Sequence, residues 1–563
     1  MNRVLLAIMG VMAALIVAVG VVIVVVVATG GGGDGGDNGP QTDATDEPGG
    51  GQRAEGELRL GGGEPITLDP HLTQDVSSAV YIVEIFGGLL TLEPNVQDPN
   101  DSTLQLKPDL AEAIPEPVQN PDGTVTYTFT LRENATFHDR TPVLAGDVKY
   151  SLERAADPAT QSLVAEFFLG DIVGVKEKLR EQADEISGVR VVNDRTIEIT
   201  IERATPTFLQ KLTYPTAFVV DQGEVESNPE NWTRNPNGTG PYELDEWVFG
   251  ERIVLQANER YHLGAPSVKT VRFLLSGEGI TLYEARDIDV TSVPVTDLTR
   301  VQDPNDPLND EYVSRERLGM DYIGFNIGAP PFDDPLVRRA FAMAIDREQI
   351  ASGLFEDAVP VANSILMPGL AAYNEAAQAP AFDAAGALQL LEQSTYGGAE
   401  GLPPISYAES GAGGTAGEST ALLIEMWRDN LGVEVEIEQA ESATFFQDVN
   451  EGRYQMFGLG WFMDYPDEEN ILNIHFDSES PNNDTGYSNP QVDTLLRQAL
   501  TETDPARRID LYRQAEQQIL DDVPWFPLFF ARTHALIKPY VKNYLVPATI
   551  VPRLRFVTLE PTD

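Results

Sequence analysis

The sequence predicts an α/β fold of more than one domain. Segments whose apolar residues alternate with polar ones, as in half-buried strands, are interleaved with segments that carry helix caps and an apolar stripe at helical spacing. The length of 563 residues exceeds the roughly 250–300 over which one core keeps growing. A third observation places the folded body. Residues 4–28 contain no charge and no proline, and as a helix they would run about 37 Å, enough to cross a hydrocarbon core of about 30 Å.

Taken in order, Arg3 and the amino terminus lie before that apolar run, and Asp34 and Asp37 follow it. The positive end stays in the cytoplasm, so everything after residue 28 is expected outside. The run is longer than the stretch of about 7–15 apolar residues in a cleaved signal peptide. Ala28, Thr29 and Gly30 make a poor cleavage site. An uncleaved single-pass membrane anchor is the preferred expectation, with a removed signal as the alternative. Residues 29–56 are expected to be a disordered linker: 30–56 carries 11 glycines and no large apolar residue, so it has nothing with which to build a core. It lacks the Gly-Lys-Ser/Thr ending of a phosphate loop.

Asn120-Pro121-Asp122-Gly123 is a turn signal, and Val125, Tyr127, Phe129 and Leu131 then alternate as in a strand. Ile197, Ile199 and Ile201 repeat the pattern, Ile253 with Leu255 and Val271 with Phe273 start two more strands, and Val433, Val435 and Ile437 form another. Asp334-Pro335 gives an N-cap and a first-turn proline to a helix over 336–350. Asp383 caps 384–392, Gly432 can end 420–431, and Asp504-Pro505 opens 506–521.

Composition excludes several functions. There are 38 Lys+Arg against 88 Asp+Glu, a formal charge of −50, which argues against nucleic acid as a partner because phosphate contacts need cations. The bland meaning of that acidity is a solvated, soluble surface. With no cysteine there is no thiolate nucleophile, disulfide or Cys-ligated metal. The five histidines stand singly and none forms a His-Glu-x-x-His pair, so no metal or cofactor is expected.

Several stretches together resemble solute-binding protein family 5, the extracytoplasmic receptors of ABC importers for oligopeptides, dipeptides, nickel complexes and some oligosaccharides. They are Ile66-Thr67-Leu68-Asp69-Pro70-His71 with Glu84-Ile85-Phe86-Gly87-Gly88-Leu89-Leu90; Leu131-Arg132-Glu133-Asn134-Ala135-Thr136-Phe137-His138-Asp139, continuing to Tyr150-Ser151-Leu152-Glu153-Arg154; Asn237-Gly238-Thr239-Gly240-Pro241-Tyr242; Pro331-Phe332-Asp333-Asp334-Pro335; and Gly460-Trp461-Phe462-Met463-Asp464-Tyr465-Pro466-Asp467. Each is weak alone; in this order they cover nearly all of 57–556. The resemblance implies a two-lobed periplasmic-binding-protein-like α/β fold with a hinge. Lobe 1 would comprise 57–275 and 530–563, with an extra subdomain at about 90–205, and lobe 2 would comprise 276–529. It also implies closure around a ligand, no chemistry on that ligand, delivery to membrane permease subunits, and a monomer.

A receptor tolerant of peptide sequence should bind backbone and charged ends rather than side chains. By resemblance, Asp464 would meet the ligand ammonium, Gly460, Trp461, Phe462 and Tyr465 would line the cleft from lobe 2, and Gln74 and Val76 from lobe 1. Read without the resemblance, Asp464 caps a turn, and Trp461 is as much a core residue as a cleft wall. Two departures stand out. Arg140 follows Phe-His-Asp where the family usually has Gly. Gly458 stands where some oligopeptide receptors carry an Arg that helps neutralise a peptide carboxylate.

Phe137-His138-Asp139 is expected to be packing and turn chemistry. A serine hydrolase would need a Gly-x-Ser-x-Gly elbow, and Gly417-Glu418-Ser419-Thr420-Ala421 comes nearest but ends in Ala. Binding of an oligosaccharide or metal chelate on the same fold, or a tethered sensor or hydrolase, remain the alternatives.

Overall fold

A computed structural model describes residues 56–95, 104–411, 417–546, 548–549 and 553–561. The expected membrane segment 4–28 and all but the last residue of the expected linker 29–56 lie outside these. Among the described residues no helix is long and apolar enough to cross a membrane.

One ten-stranded sheet runs through the molecule. Its strands lie in the order Val435–Ala440, Ile405–Ser410, Met456–Phe462, Tyr312–Phe325, Trp525–Ile537, Val290–Ser292, Glu57–Gly61, Thr270–Leu274, Arg252–Ala257 and Tyr242–Val248. Each of the two long central strands takes a further neighbour over half of its length. The half of Trp525–Ile537 near Ile537 pairs with Val290–Ser292, and the half of Tyr312–Phe325 near Phe325 pairs with Met456–Phe462. Between these halves the register slips from Glu316 opposite Arg532 to Met320 opposite Phe530. Residues 317–319 stand opposite the single residue 531 and form a bulge, the device by which a strand bends and twists. Gly319 lies within it, and a Cβ there would sit 2.5 Å from the Phe462 ring.

Separate apolar clusters fill the lobes. Leu58, Tyr81, Tyr242, Ile253 and Phe273 pack with Val541 and Leu554 from the end of the chain. A second cluster, with Phe129, Leu152, Phe168 and Ile199, sits under the four-stranded antiparallel sheet of Val118–Gln119, Val125–Thr130, Thr196–Ile201 and Val189–Asn193. The other lobe holds clusters around Trp427 and Phe341 and around Tyr512 and Trp525. Arg59 pairs with Asp289 at 2.8 Å, and Tyr540 donates to the same carboxylate at 2.7 Å, joining strands distant in sequence to the C-terminal return.

The periodic elements form where the pattern places them. Along Val125–Thr130, residues Val125, Tyr127 and Phe129 are buried. Asp334, Asp383 and Asp504 each accept an N–H at a helix start, from Leu336, Gly386 and Arg507. Gly432 closes Glu418–Leu431 with φ 68°, a conformation free of strain for Gly. Two expectations are corrected. The helix over 336–350 is two helices, Pro335–Met343 and Arg347–Gly353, because Asp346 caps a new start by accepting from Gln349 N at 3.0 Å. The strand placed at Val433 begins at Val435, since Val433 N still bonds back to Trp427 O across the Gly432 turn.

Candidate ligand-binding site

A partly enclosed cleft of about 70 Å³ lies where the lobes meet. Gln74 and Asp75, at the start of the helix Val76–Ile85, and Tyr214 form part of its first-lobe wall. Asp464 enters from the second lobe, and Arg553 from the C-terminal segment.

Asp464 follows the strand Met456–Phe462 and is clamped by one side chain. Its N–H donates to Asn470 Oδ1 at 2.9 Å, and Asn470 Nδ2 donates to its Oδ2 at 3.1 Å. Asn470 is fully buried. The turn-capping role is thus real, and it occupies one oxygen of a carboxylate that lines the cleft. Asp464 makes no ion pair among the described residues. Removal from water raises its pKa to about 6, with the Asn470 hydrogen bond offsetting part of the rise. Asp467, the other acid of the segment, is spent on a bidentate pair with Arg508, both contacts at 2.7 Å.

Asp75 caps the helix by accepting from Ser78 N at 2.7 Å through Oδ1, while Oδ2 is buried with no partner among the described residues. The Tyr214 ring stacks on Phe168 with centroids 3.7 Å apart, and its hydroxyl donates to Thr73 O at 3.3 Å. Burial, then the negative fields of Asp464 and Asp75, push its pKa well above the ordinary tyrosine value. Two carboxylates therefore face one small space without a cation between them.

Of the residues expected from the sequence, Gln74 and Asp464 line this cleft, and the other five are not among its lining residues. Val76 opens the helix behind Gln74. Gly460 pairs with Asp321, whose carboxylate a Cβ would approach to 2.8 Å. Trp461 meets the His475 ring edge to face at 4.4 Å and packs against the second-lobe core. Phe462 lies under the Arg317 guanidinium at 4.7 Å. Tyr465 reaches across and is buried in the first-lobe cluster around Phe129 and Phe168. Beside it, Lys211 of the first lobe lies 2.8 Å from Glu469 of the second and 3.0 Å from its own lobe's Asp171. The Thr207 hydroxyl also bonds Glu469.

Both departures from the family pattern have a physical counterpart. Arg140 holds φ 79°, a left-handed conformation in the turn closed by Arg140 N to Phe137 O at 2.9 Å. Over Gly458 lies the Tyr407 hydroxyl, 1.9 Å from where a Cβ would stand, so a tyrosine fills the space above this position. Phe137 is buried, His138 bonds Gly238 N and Gly240 O, and Asp139 accepts from Thr141 N, the packing and turn chemistry expected. Among the described residues no group of three or more His, Asp or Glu is placed to hold a metal.

Sequence reasoning missed Asp75, Tyr214, Arg553 and the Lys211–Glu469 pair. Asp75-Val76-Ser77-Ser78 carries an N-cap signature that marks the position but not its free oxygen. The others have no local signal, because tertiary structure alone brings them together.

The family description "bacterial extracellular solute-binding proteins, family 5" matches residues 105–483. The chain is 30% identical over 523 residues to the periplasmic oligopeptide-binding protein OppA of Salmonella typhimurium, covering 89% of this chain and 92% of that one. It is 29% identical over 495 residues to the probable deoxycholate-binding periplasmic protein YgiS of Escherichia coli, covering 85% and 89%. The murein tripeptide binding protein MppA of Escherichia coli superimposes with a TM-score of 0.75 at 26% identity, over 89% of this chain and 98% of that one. Its unliganded open form gives 0.69 at 27% identity, over 90% and 98%.

Proposed function

The chain belongs to the bacterial extracellular solute-binding proteins of family 5, and from that premise we propose that it is the receptor of an ABC importer. In this reading it captures short peptides between two closing lobes and hands them to membrane permease subunits. It acts as a monomer, held at the outer face by the apolar segment 4–28, and makes or breaks no bond in its cargo. Lobe 1 is 57–275 with 530–563, and lobe 2 is 276–529.

The observation that carries the reading is Asp464, a carboxylate in the cleft with no ion partner among the described residues and a pKa raised by burial. An uncompensated charge of this kind is costly until a cation arrives. A peptide ammonium supplies that cation, and a charge-assisted hydrogen bond to it contributes about 1.5–3 kcal/mol. Gln74 lines the cleft beside it, and Val76, Gly460, Trp461, Phe462 and Tyr465 support its walls. Metal and cofactor have no part in this chemistry.

A second reading, capture of an anionic amphiphile, draws on the relative named for deoxycholate. It is the weaker of the two, because the cleft sets two carboxylates, Asp464 and Asp75, against one cation, Arg553. Calorimetry with a peptide panel tests the choice. Asp464→Ala should weaken free-amine peptides about 10- to 100-fold while leaving N-acetylated peptides nearly unaffected. Equal losses for both would remove Asp464 from its role, and deoxycholate binding in place of any peptide would reverse the ligand assignment.

A further inference from the structure

The strand Met456–Phe462 has a strand neighbour on both sides only at its start. It pairs with Tyr312–Phe325 along its whole length, but with Ile405–Ser410 only at Met456 and Phe457. From Gly458 onward its second edge carries no strand among the described residues. Gly458 and Gly460 share one face of this stretch, two residues apart, and both are half-buried. Asp321, the direct partner of Gly460, lies on the same face and is half-buried too. Ile323, two residues on, belongs to the cluster around Trp427 and Phe341, while Met320 and Tyr322 belong to the opposite one.

Two oxygens lean over the glycines. Asp321 Oδ1 lies 2.8 Å from where a Gly460 Cβ would stand, and the Tyr407 hydroxyl 1.9 Å from where a Gly458 Cβ would stand. A side chain at either position would take the space these oxygens hold. The two floor positions are about 7 Å apart at the rise of a strand, a span that the donors of one guanidinium or ammonium can bridge. The walls are apolar, since the other strand partner of Asp321 is the buried Phe529. Asp321 has no hydrogen bond or ion pair among the described residues. Removal from water is the single cause that shifts its pKa, upward to about 6, and no cation draws it back. The field of Asp321 reaches Tyr407 and adds to the burial that raises the phenol's pKa. Glu409, which acts on Tyr407 in the same way, is itself committed to Thr420 at 2.5 Å and Gln439 at 2.6 Å. An unpaired carboxylate among apolar walls is costly until a cation meets it.

Building on the peptide-receptor reading above, we propose that Asp321 and the Tyr407 hydroxyl form a cation subsite over Gly458 and Gly460, distinct from Asp464, which takes the ammonium or guanidinium of a lysine or arginine side chain and makes the protein selective for basic peptides. Both oxygens accept hydrogen bonds from such a group, and the carboxylate repels an acidic side chain in its place. The spacing sets where the basic residue falls. Gly460 and Asp464 are four residues apart, at most about 13–14 Å along an extended chain. A peptide lying beside this segment with its ammonium near Asp464 therefore brings its second, third or fourth side chain to Asp321.

The test is calorimetry of the intact protein near neutral pH with alanine pentapeptides that carry lysine, norleucine or glutamate at the second, third or fourth residue. Their ends are identical, so whatever Asp464 contributes cancels. At one of these positions lysine should bind at least about tenfold tighter than norleucine, and glutamate weaker than both. Asp321→Asn should lose the lysine–norleucine difference while keeping the norleucine affinity, and Tyr407→Phe should lose part of it. In the wild type the difference should persist in about 0.5 M salt, which screens the long-range attraction of a chain of net charge −50. The wild-type measurements need no variant, so a misfolded Asp321→Asn would not rescue a failed proposal. Equal affinity for lysine and norleucine at all three positions overturns this inference and leaves peptide capture standing. So does a lysine preference that vanishes in salt or survives in Asp321→Asn. No binding by any of the peptides overturns both.

Discussion

Replacing Lys211 with Met should open the clamp. The ammonium lies between Glu469 at 2.8 Å and Asp171 at 3.0 Å, with side chains only 6%, 5% and 17% exposed. Burial pulls against its charge, yet the two carboxylates outweigh that and raise its pKa. Lys211 and Glu469 sit on opposite lobes, so the pair exists only when the lobes meet. Without the lysine, closure would bury two uncompensated carboxylates, which costs about 3–5 kcal/mol. When the lobes part, both carboxylates return to water, so the penalty falls on the closed form alone. The ratio of closed to open protein should drop by about 10²–10⁴-fold, and peptide affinity by up to that factor if only the closed form grips the ligand. Small-angle scattering of the unliganded variant should show a larger radius of gyration than the wild type, and calorimetry should show the weakened Kd. Glu469→Gln in the same chain should recover part of the loss, because it removes a stranded charge. A variant whose scattering matches the wild type and whose Kd is within twofold of it would refute the reasoning.

Affinity for free-amine peptides should fall about tenfold from pH 7 to pH 5. Burial raises the Asp464 pKa to about 6, and the ligand ammonium binds only its ionised form, so affinity is full above that value and is lost as pH drops through it. N-acetylated peptides give the flat control. Arg140→Gly should stabilise the protein by about 1 kcal/mol, read as a higher urea midpoint, because φ 79° strains an arginine and not a glycine. An unchanged midpoint would mean the turn relaxes around Arg140. Gly458→Ala should destabilise by about 1–3 kcal/mol through overpacking against Tyr407, and a smaller cost when Tyr407→Phe is added would identify the hydroxyl as the obstacle.

Local rules were the legible ones. The caps at Asp334, Asp383 and Asp504 depend on a side chain meeting an N–H two or three residues away, and the alternation at Val125, Tyr127 and Phe129 depends on a sheet with one wet face. The break at Asp346 was hidden because the apolar period of Val337, Ala340, Phe341, Ala344 and Ile345 runs straight through it, all five being buried. Asp464 was legible only as part of a family pattern; by itself Asp-Tyr-Pro-Asp reads as a turn, and the Asn470 clamp shows that it is one. Asp75, Tyr214 and Arg553 lie hundreds of residues apart in part, and no spacing rule joins them. What brings them together is one helix face and the return of the chain end to it.

The two central strands are shared property, and this limits how the protein can be divided. Tyr312–Phe325 and Trp525–Ile537 pair with one another, the first also joining Met456–Phe462 and the second Val290–Ser292. A fragment ending near residue 300 would leave Val290–Ser292 and Glu57–Gly61 beside a bare sheet edge. A fragment holding only the other lobe would carry frayed half-strands with unpaired N–H and C=O groups along their outer length. Such edges template intermolecular pairing, so separately expressed halves should aggregate, whereas the two mixed during refolding should complement one another as a split protein does.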